Sequence, residues 1–143
     1  MILGVYQPVC KKGLTVQDED IRQLCDVIRE TSFEIHCYHR NGHLEKIYGN
    51  ALAHRLRKKG IAVEQQHPLS VYDEDGTPLG DFYADLFVGG KLVVELKACH
   101  AIVNEHIAQL LGYLRASRTA HGLPINFGAP TLQIEKYVMS DNV

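Results

Sequence analysis

Asp85, Glu95 and Lys97 are the residues in this chain best suited to do chemistry. Nine residues separate Asp85 from Glu95-Leu96-Lys97, and the stretch reads as two adjoining strands joined at Gly89-Gly90. Carboxylates on rigid neighbouring strands can hold a hard divalent cation, and a lysine beside them can orient or activate a water. That set suits metal-dependent hydrolysis of a phosphodiester. The same letters also fit a surface strand that ends in a charge pair, so the surrounding elements must decide.

Register is the first test. Strand alternation places Glu95 and Lys97 on one face, with Leu92, Val94, Leu96 and Ala98 on the other. On the partner strand Tyr83, Asp85 and Phe87 share a face. A two-residue turn would pair Val88 with Lys91 and send the two acids to opposite sides. A three-residue loop, Gly89-Gly90-Lys91, pairs Val88 with Leu92 and sets Asp85 opposite Glu95. Such a loop commonly needs a left-handed residue, which Gly90 supplies. An odd-length loop, or a bulge, is therefore expected.

The rest of the chain supplies the frame. The first fifteen or so residues are weakly patterned and read as a loose arm or a short strand. Asp18-Glu19-Asp20 opens a helix running to about residue 36, with Ile21, Leu24, Cys25 and Ile28 at helical spacing. A second helix spans about 43–60, with Leu44, Ile47, Tyr48, Ala51, Leu52 and Leu56 as its apolar stripe and Gly60 as the residue that ends it. Residues 61–72 and 79–88 read as strands around a turn at Asp73-Glu74-Asp75-Gly76, and 91–99 as a third strand. A helix over 103–117 carries Val103, Ile107, Leu110, Leu111 and Leu114. Strands over 122–127 and 132–138 close the chain. The order α-α-β-β-β-α-β-β implies a mixed α/β sheet flanked by helices, in one domain over 18–143 after an arm over 1–17.

Bulk properties exclude some classes. With 143 residues, 45% apolar and 22% charged, the chain is large enough for a real core. A net charge of −2 gives no global case for nucleic acid, so such binding needs a local basic patch. No apolar run approaches a membrane span, and the start lacks the features of a signal peptide, so a cytoplasmic protein is expected. Cys10, Cys25, Cys37 and Cys99 lack Cys-x-x-Cys spacing and read as reduced thiols. His36, Cys37, His39 and His43 fit no familiar zinc spacing.

Three further groups matter. Gln109 and Tyr113 lie four residues apart on the last helix, off its apolar stripe, with His106 close by. They read either as an exposed face or as a pair turned toward a site. Glu45, in the first turn of the second helix, reads alone as a helix-start acid. Arg55, Arg57, Lys58 and Lys59 fit both a solvated helix end and a phosphate-binding patch helped by Arg115 and Arg118.

The gathered residues resemble a known family. Gly42-His43-Leu44-Glu45-Lys46-Ile47-Tyr48 is similar to the G-x-x-E-x-x-Y signature of the GxxExxY proteins. Asp85, Glu95-x-Lys97 and Gln109-x-x-x-Tyr113 resemble the PD-(D/E)XK nuclease superfamily in its RecB-like form, with Ala84 where the superfamily name has proline. The likeness runs from about residue 21 to 138. It implies a restriction-endonuclease-like fold and a nuclease that hydrolyses nucleic acid, DNA in preference to RNA. By this resemblance Asp85, Glu95 and Glu45 would bind Mg²⁺ or Mn²⁺, with the Leu96 carbonyl as a further ligand. Lys97 would activate the water and form a salt bridge within the acids. Gln109 and Tyr113 would position Lys97 or the nucleic-acid backbone. The alternatives are a non-catalytic nucleic-acid- or protein-binding module that keeps the nuclease fold, and a structural subunit of a larger assembly. A homodimer or a protein partner stays open.

Overall fold

Ile21, Cys25, Ile28 and Ile35 are all buried, which sets the inner face of the first long helix in this computed structural model. The structure describes residues 2–5 and 16–139. Cys10 and the last four residues lie outside the described residues, as does most of the stretch read as an arm. The elements are β1 (Ile2–Val5), α1 (Val16–His39), α2 (Glu45–Lys58), β2 (Val63–Tyr72), β3 (Pro78–Val88), β4 (Leu92–Lys97), α3 (Asn104–Ala116), β5 (His121–Asn126), β6 (Gln133–Ile134) and β7 (Tyr137–Met139).

The strands form one mixed sheet in the order β1-β7-β5-β4-β3-β2, with β6 beside β5. β4 and β5 are parallel, joined through α3, and the other pairings are antiparallel. A core of Leu86, Val88, Leu92, Val94, Leu96, Leu123 and Ile125 faces α1 and α2. A smaller one, with Ala84 and Val93, faces α3. The architecture is the expected α/β, restriction-endonuclease-like mixed sheet flanked by helices. Of the two readings of the first residues, loose arm or short strand, Ile2–Val5 takes the strand, as β1, and pairs with β7. The architecture also splits the last expected strand into β6 and β7, with Lys136 buried between them. The Lys136 ammonium is buried, with Nζ 3.0 Å from the Tyr137 carbonyl and 2.8 Å from His121 Nδ1.

The apolar stripe of α2 is rotated from the one expected. Leu44 and Ile47 are 76% and 44% exposed, while Tyr48, Gly49, Leu52, Ala53 and Leu56 are buried. The reason is steric: a Cβ on Gly49 would lie 2.9 Å from Leu96 Cδ1, so α2 presents its small residues to β4 and comes close. Gly60, at φ +81°, follows the helix as expected. On α3, Val103 is likewise exposed, while Leu110, Leu111 and Leu114 carry the packing.

Candidate active site

The hairpin between β3 and β4 has the three-residue loop that its glycines imply. Val88 pairs with Leu92, Phe87 with Val93 and Leu86 with Val94. Both Gly89 and Gly90 take positive φ, +63° and +69°. The register therefore runs on to set Asp85 across from Glu95.

The ladder stops there, and its end shapes the site. Ala84 and Leu86 have the same strand parity, yet Ala84 packs toward α3 and Leu86 toward α1 and α2. On β2, Val63 and Leu69 divide in the same way. The switch falls between the pairs Gln65–Leu86 and His67–Ala84, where Gln66 takes φ +50°. A left-handed residue inside a strand inverts the alternation of side chains. At this kink β3 leaves β4, and Asp85 Oδ2 accepts the Leu96 N–H at 2.8 Å. Gln66 Nε2 donates to Asp85 Oδ1 at 3.4 Å.

Two hollows flank the split between the strands. On the α2 side, a groove is lined by Glu45, Lys46, Gly49, Asn50, Gln66 and Asp85, among others. On the α3 side, a cavity of about 180 Å³ is lined by Glu95, Lys97, His106, Gln109 and Tyr113, with an apolar wall that includes Phe82 and Ile102. The Tyr113 ring stacks on Phe82 with centroids 4.1 Å apart and planes 10° from parallel.

Asp85 and Glu95 join the two hollows. Burial, and then the neighbouring Asp85 carboxylate, push the Glu95 carboxyl up to about 8. Glu95 Oε1 is buried and has no hydrogen-bond partner among the described residues. A buried carboxylate oxygen beside a second carboxylate calls for a proton or a cation. Lys97 contributes little: its pull is the weakest of those acting on the Glu95 carboxyl, and no Lys97 salt bridge to either acid forms among the described residues. This corrects the expected ion pair. Residues i and i+2 of a strand point the same way but stand almost 7 Å apart along it.

A loop and a turn hold the site from both ends. Before α2, Tyr48 is fully buried, stacks on Phe127 at 4.6 Å, donates its hydroxyl hydrogen to the Arg40 carbonyl and accepts the His43 N–H at 3.2 Å. These bonds fix where α2 begins, and hence Glu45. His36, whose cluster lacks zinc spacing, uses Nε2 in a 2.9 Å hydrogen bond with the Ala129 carbonyl. After β4, buried Asn126 accepts from Cys99 N and Gly128 N and donates to Cys99 O and Gln133 Oε1. That network anchors the exit of the strand bearing Lys97.

The sequence pattern of the PD-(D/E)XK nuclease superfamily matches residues 22–137, which take in both hollows and the split between them. The chain belongs to the PD-(D/E)XK nuclease superfamily. Neither a curated protein nor a solved structure matches the chain.

PD-(D/E)XK nucleases generally use divalent metals. The donor set here fits one, since paired carboxylates with an orphaned buried oxygen are hard ligands in need of positive charge. Among the described residues, no three His, Cys, Asp or Glu side chains gather closely enough to hold an ion by themselves. Asp85 and Glu95 come together, and the exposed Glu45 lines the α2-side groove along with Asp85. Glu95, Lys97, Gln109 and Tyr113 share one cavity. The basic group is divided in use. Arg57 donates to Val63 O at 2.8 Å and to Gln65 Oε1 at 3.3 Å, and Lys59 donates to Thr31 Oγ1 at 2.8 Å. Arg55 is half-buried and Lys58 exposed.

Sequence reasoning missed Gln66, Lys46, Asn50 and Phe82 as site walls. Only Lys46 carried a signal, as a neighbour of Glu45 on the same helical turn. The left-handed Gln66 has none, because glutamine is not a residue that favours positive φ. No helix among the described residues is long and apolar enough to cross a membrane.

Proposed function

We propose that this chain is a metal-dependent nuclease, hydrolysing phosphodiester bonds of nucleic acid and of DNA before RNA. We place it among the GxxExxY proteins, with Gln109-x-x-x-Tyr113 as its Q-x-x-x-Y helix. The observation that carries the reading is the Asp85–Glu95 pair with its orphaned Oε1. Asp85 and Glu95 would hold Mg²⁺ or Mn²⁺ with the Leu96 carbonyl, and Glu45 would join directly or through water. The chemistry such an ion supplies is charge to offset the phosphate and acidity for a bound water.

The chain's own residues do the rest. Lys97 extends into the cavity beside Glu95, where its ammonium orients the attacking water and steadies charge on the phosphate. Gln109 and Tyr113 border the same cavity, and the stack on Phe82 holds Tyr113 still. Its hydroxyl and the Gln109 amide position Lys97 or the nucleic-acid backbone. Arg55, Arg57, Lys58 and Lys59 grip phosphates away from the reacting centre.

One observation favours the second reading, a binding module that keeps the fold. A Glu95 carboxyl at about 8 holds a proton at neutral pH unless a cation displaces it. The test incubates purified protein with labelled DNA and RNA, with Mg²⁺, Mn²⁺ or EDTA, beside Asp85→Ala and Lys97→Ala. The enzyme reading expects cleavage that needs metal and is lost in both variants. Binding without cleavage, unaffected by either substitution, selects the module. Equal cleavage by all three proteins marks a contaminant.

A further inference from the structure

His106 occupies the first turn of α3, three residues before Gln109, and its ring borders the cavity that holds Glu95 and Lys97. Its two nitrogens are not equivalent. Nδ1 accepts the backbone N–H of Val103 at 3.2 Å. The same turn is closed by the His106 N–H, which donates to the Val103 carbonyl at 3.0 Å. An imidazole that accepts through Nδ1 carries its hydrogen on Nε2. Nε2 has no partner among the described residues, so the ring offers a fixed N–H donor. A nitrogen that bears a hydrogen cannot ligate a cation, which separates His106 from the carboxylates. Lys97 lines the same cavity, with Glu95, and supplies a cation that an anionic oxygen entering there would meet.

We propose that His106 is a substrate-contacting residue whose Nε2–H donates a hydrogen bond to a non-bridging oxygen of the phosphodiester, alongside Lys97. The inference rests on the nuclease reading and deepens it. Backbone geometry at the start of α3 sets the tautomer, and the tautomer sets what the ring can recognise. An oxygen acceptor is matched, whereas a metal ion or a donor group of a base is refused. The half-buried ring also costs little to order on binding, because the Val103 bond already holds it.

The two roles of the ring can be separated by substitution. Asparagine places an acceptor near the position of Nδ1 and nothing near Nε2. Glutamine places an amide donor near Nε2 and gives up the bond to Val103. His106→Asn should therefore melt like the wild type and lose about tenfold or more in kcat/KM. His106→Gln should melt lower and keep more of the activity. Nitrogen-15 NMR on histidine-labelled protein gives a readout independent of turnover, with the His106 signal identified by its absence in His106→Asn. The expected spectrum has the hydrogen on Nε2. That signal should shift when a cleavage-resistant phosphorothioate oligonucleotide is added with Ca²⁺. Full activity in His106→Asn overturns the proposal, as does a hydrogen on Nδ1. An Nε2 signal that ignores the oligonucleotide overturns it too. A wild-type protein that cleaves nothing defeats the nuclease reading alone, and the NMR titration then decides for His106.

Discussion

Asp85 Oδ2 accepts the backbone N–H of Leu96 at 2.8 Å, so one acid of the site completes the strand that carries the other. The ladder between β3 and β4 ends at Leu86–Val94, and a carboxylate takes over where a carbonyl would have continued it. The same side chain thus has a structural partner and a chemical one, and substitution can tell them apart. Asp85→Ala leaves the Leu96 N–H without its acceptor and should cost about 1–3 kcal/mol of stability. Asp85→Asn keeps an oxygen acceptor and should unfold within about 1 kcal/mol of the wild type. Both should lower metal-dependent cleavage by about 100-fold or more. Urea unfolding and a cleavage assay on the same preparations check this, and an active Asp85→Asn protein would contradict it.

Glu95 makes stability depend on pH in an unusual direction. Its carboxyl is raised in the folded protein from the ordinary 4.5 to about 8, by burial first and Asp85 second. The folded state therefore binds the proton more tightly than the unfolded chain. Its contribution is fully present below pH 4.5 and is lost as pH rises toward 8, by on the order of a few kcal/mol. Metal-free protein should weaken across that window, and Glu95→Gln should flatten the slope. Mg²⁺ or Mn²⁺ should restore stability most at the alkaline end, where the carboxylate is free to take an ion. Denaturant titrations from pH 5 to 9, with and without metal, measure all three. A wild-type curve no steeper across this window than the Glu95→Gln curve would refute the assignment.

The fold and the acid pair were legible in sequence for a common reason. Period-two and period-3.6 patterns, and the demand of a three-residue loop for glycine, are local properties that Val88, Gly90 and Leu92 carry themselves. What was hidden depends on neighbours distant in sequence. Leu44 and Ile47 look like core residues, but the close approach of Gly49 to Leu96 turns α2 away from them. The inversion at Gln66 has no signature, because a glutamine held at positive φ is imposed by its surroundings. That inversion is why Asp85 borders the α2 groove and Glu95 the α3 cavity, an arrangement that alternation alone does not give. The Lys97 ion pair fails for a related reason: shared parity puts Lys97 and Glu95 on one face, but strand rise keeps their charges apart.

Tyr48, the last letter of the G-x-x-E-x-x-Y stretch, works by shaping the chain before α2. Its hydroxyl bonds to Arg40 O and His43 N across a loop in which Arg40 and Gly42 both take positive φ. Tyr48→Phe keeps the stack on Phe127 and gives up only those bonds. It should cost about 1–2 kcal/mol and loosen the start of α2. Hydrogen exchange should speed at residues 40–47 and stay slow in β4. If Glu45 contributes to the site, apparent metal affinity should also fall, by a smaller factor than in Glu45→Ala. Unchanged exchange before α2 would remove Tyr48 from this role.

The basic end of α2 is where structural and phosphate-binding roles can be divided residue by residue. Arg57 ties α2 to β2 through Val63 O and Gln65 Oε1, and Gln65 in turn donates to Asn50 on the groove wall at 2.8 Å. Arg57→Ala should therefore lower stability by about 1 kcal/mol as well as weaken DNA binding. Lys58 is exposed, so Lys58→Ala should leave stability within about 0.5 kcal/mol. Its effect should appear in binding alone. Removing one cation that neutralises a phosphate should reduce the slope of log affinity against log salt by about one. Fluorescence anisotropy with labelled DNA, from low to moderate salt, separates the cases. A Lys58→Ala protein with the wild-type affinity and salt slope would return this helix end to plain solvation.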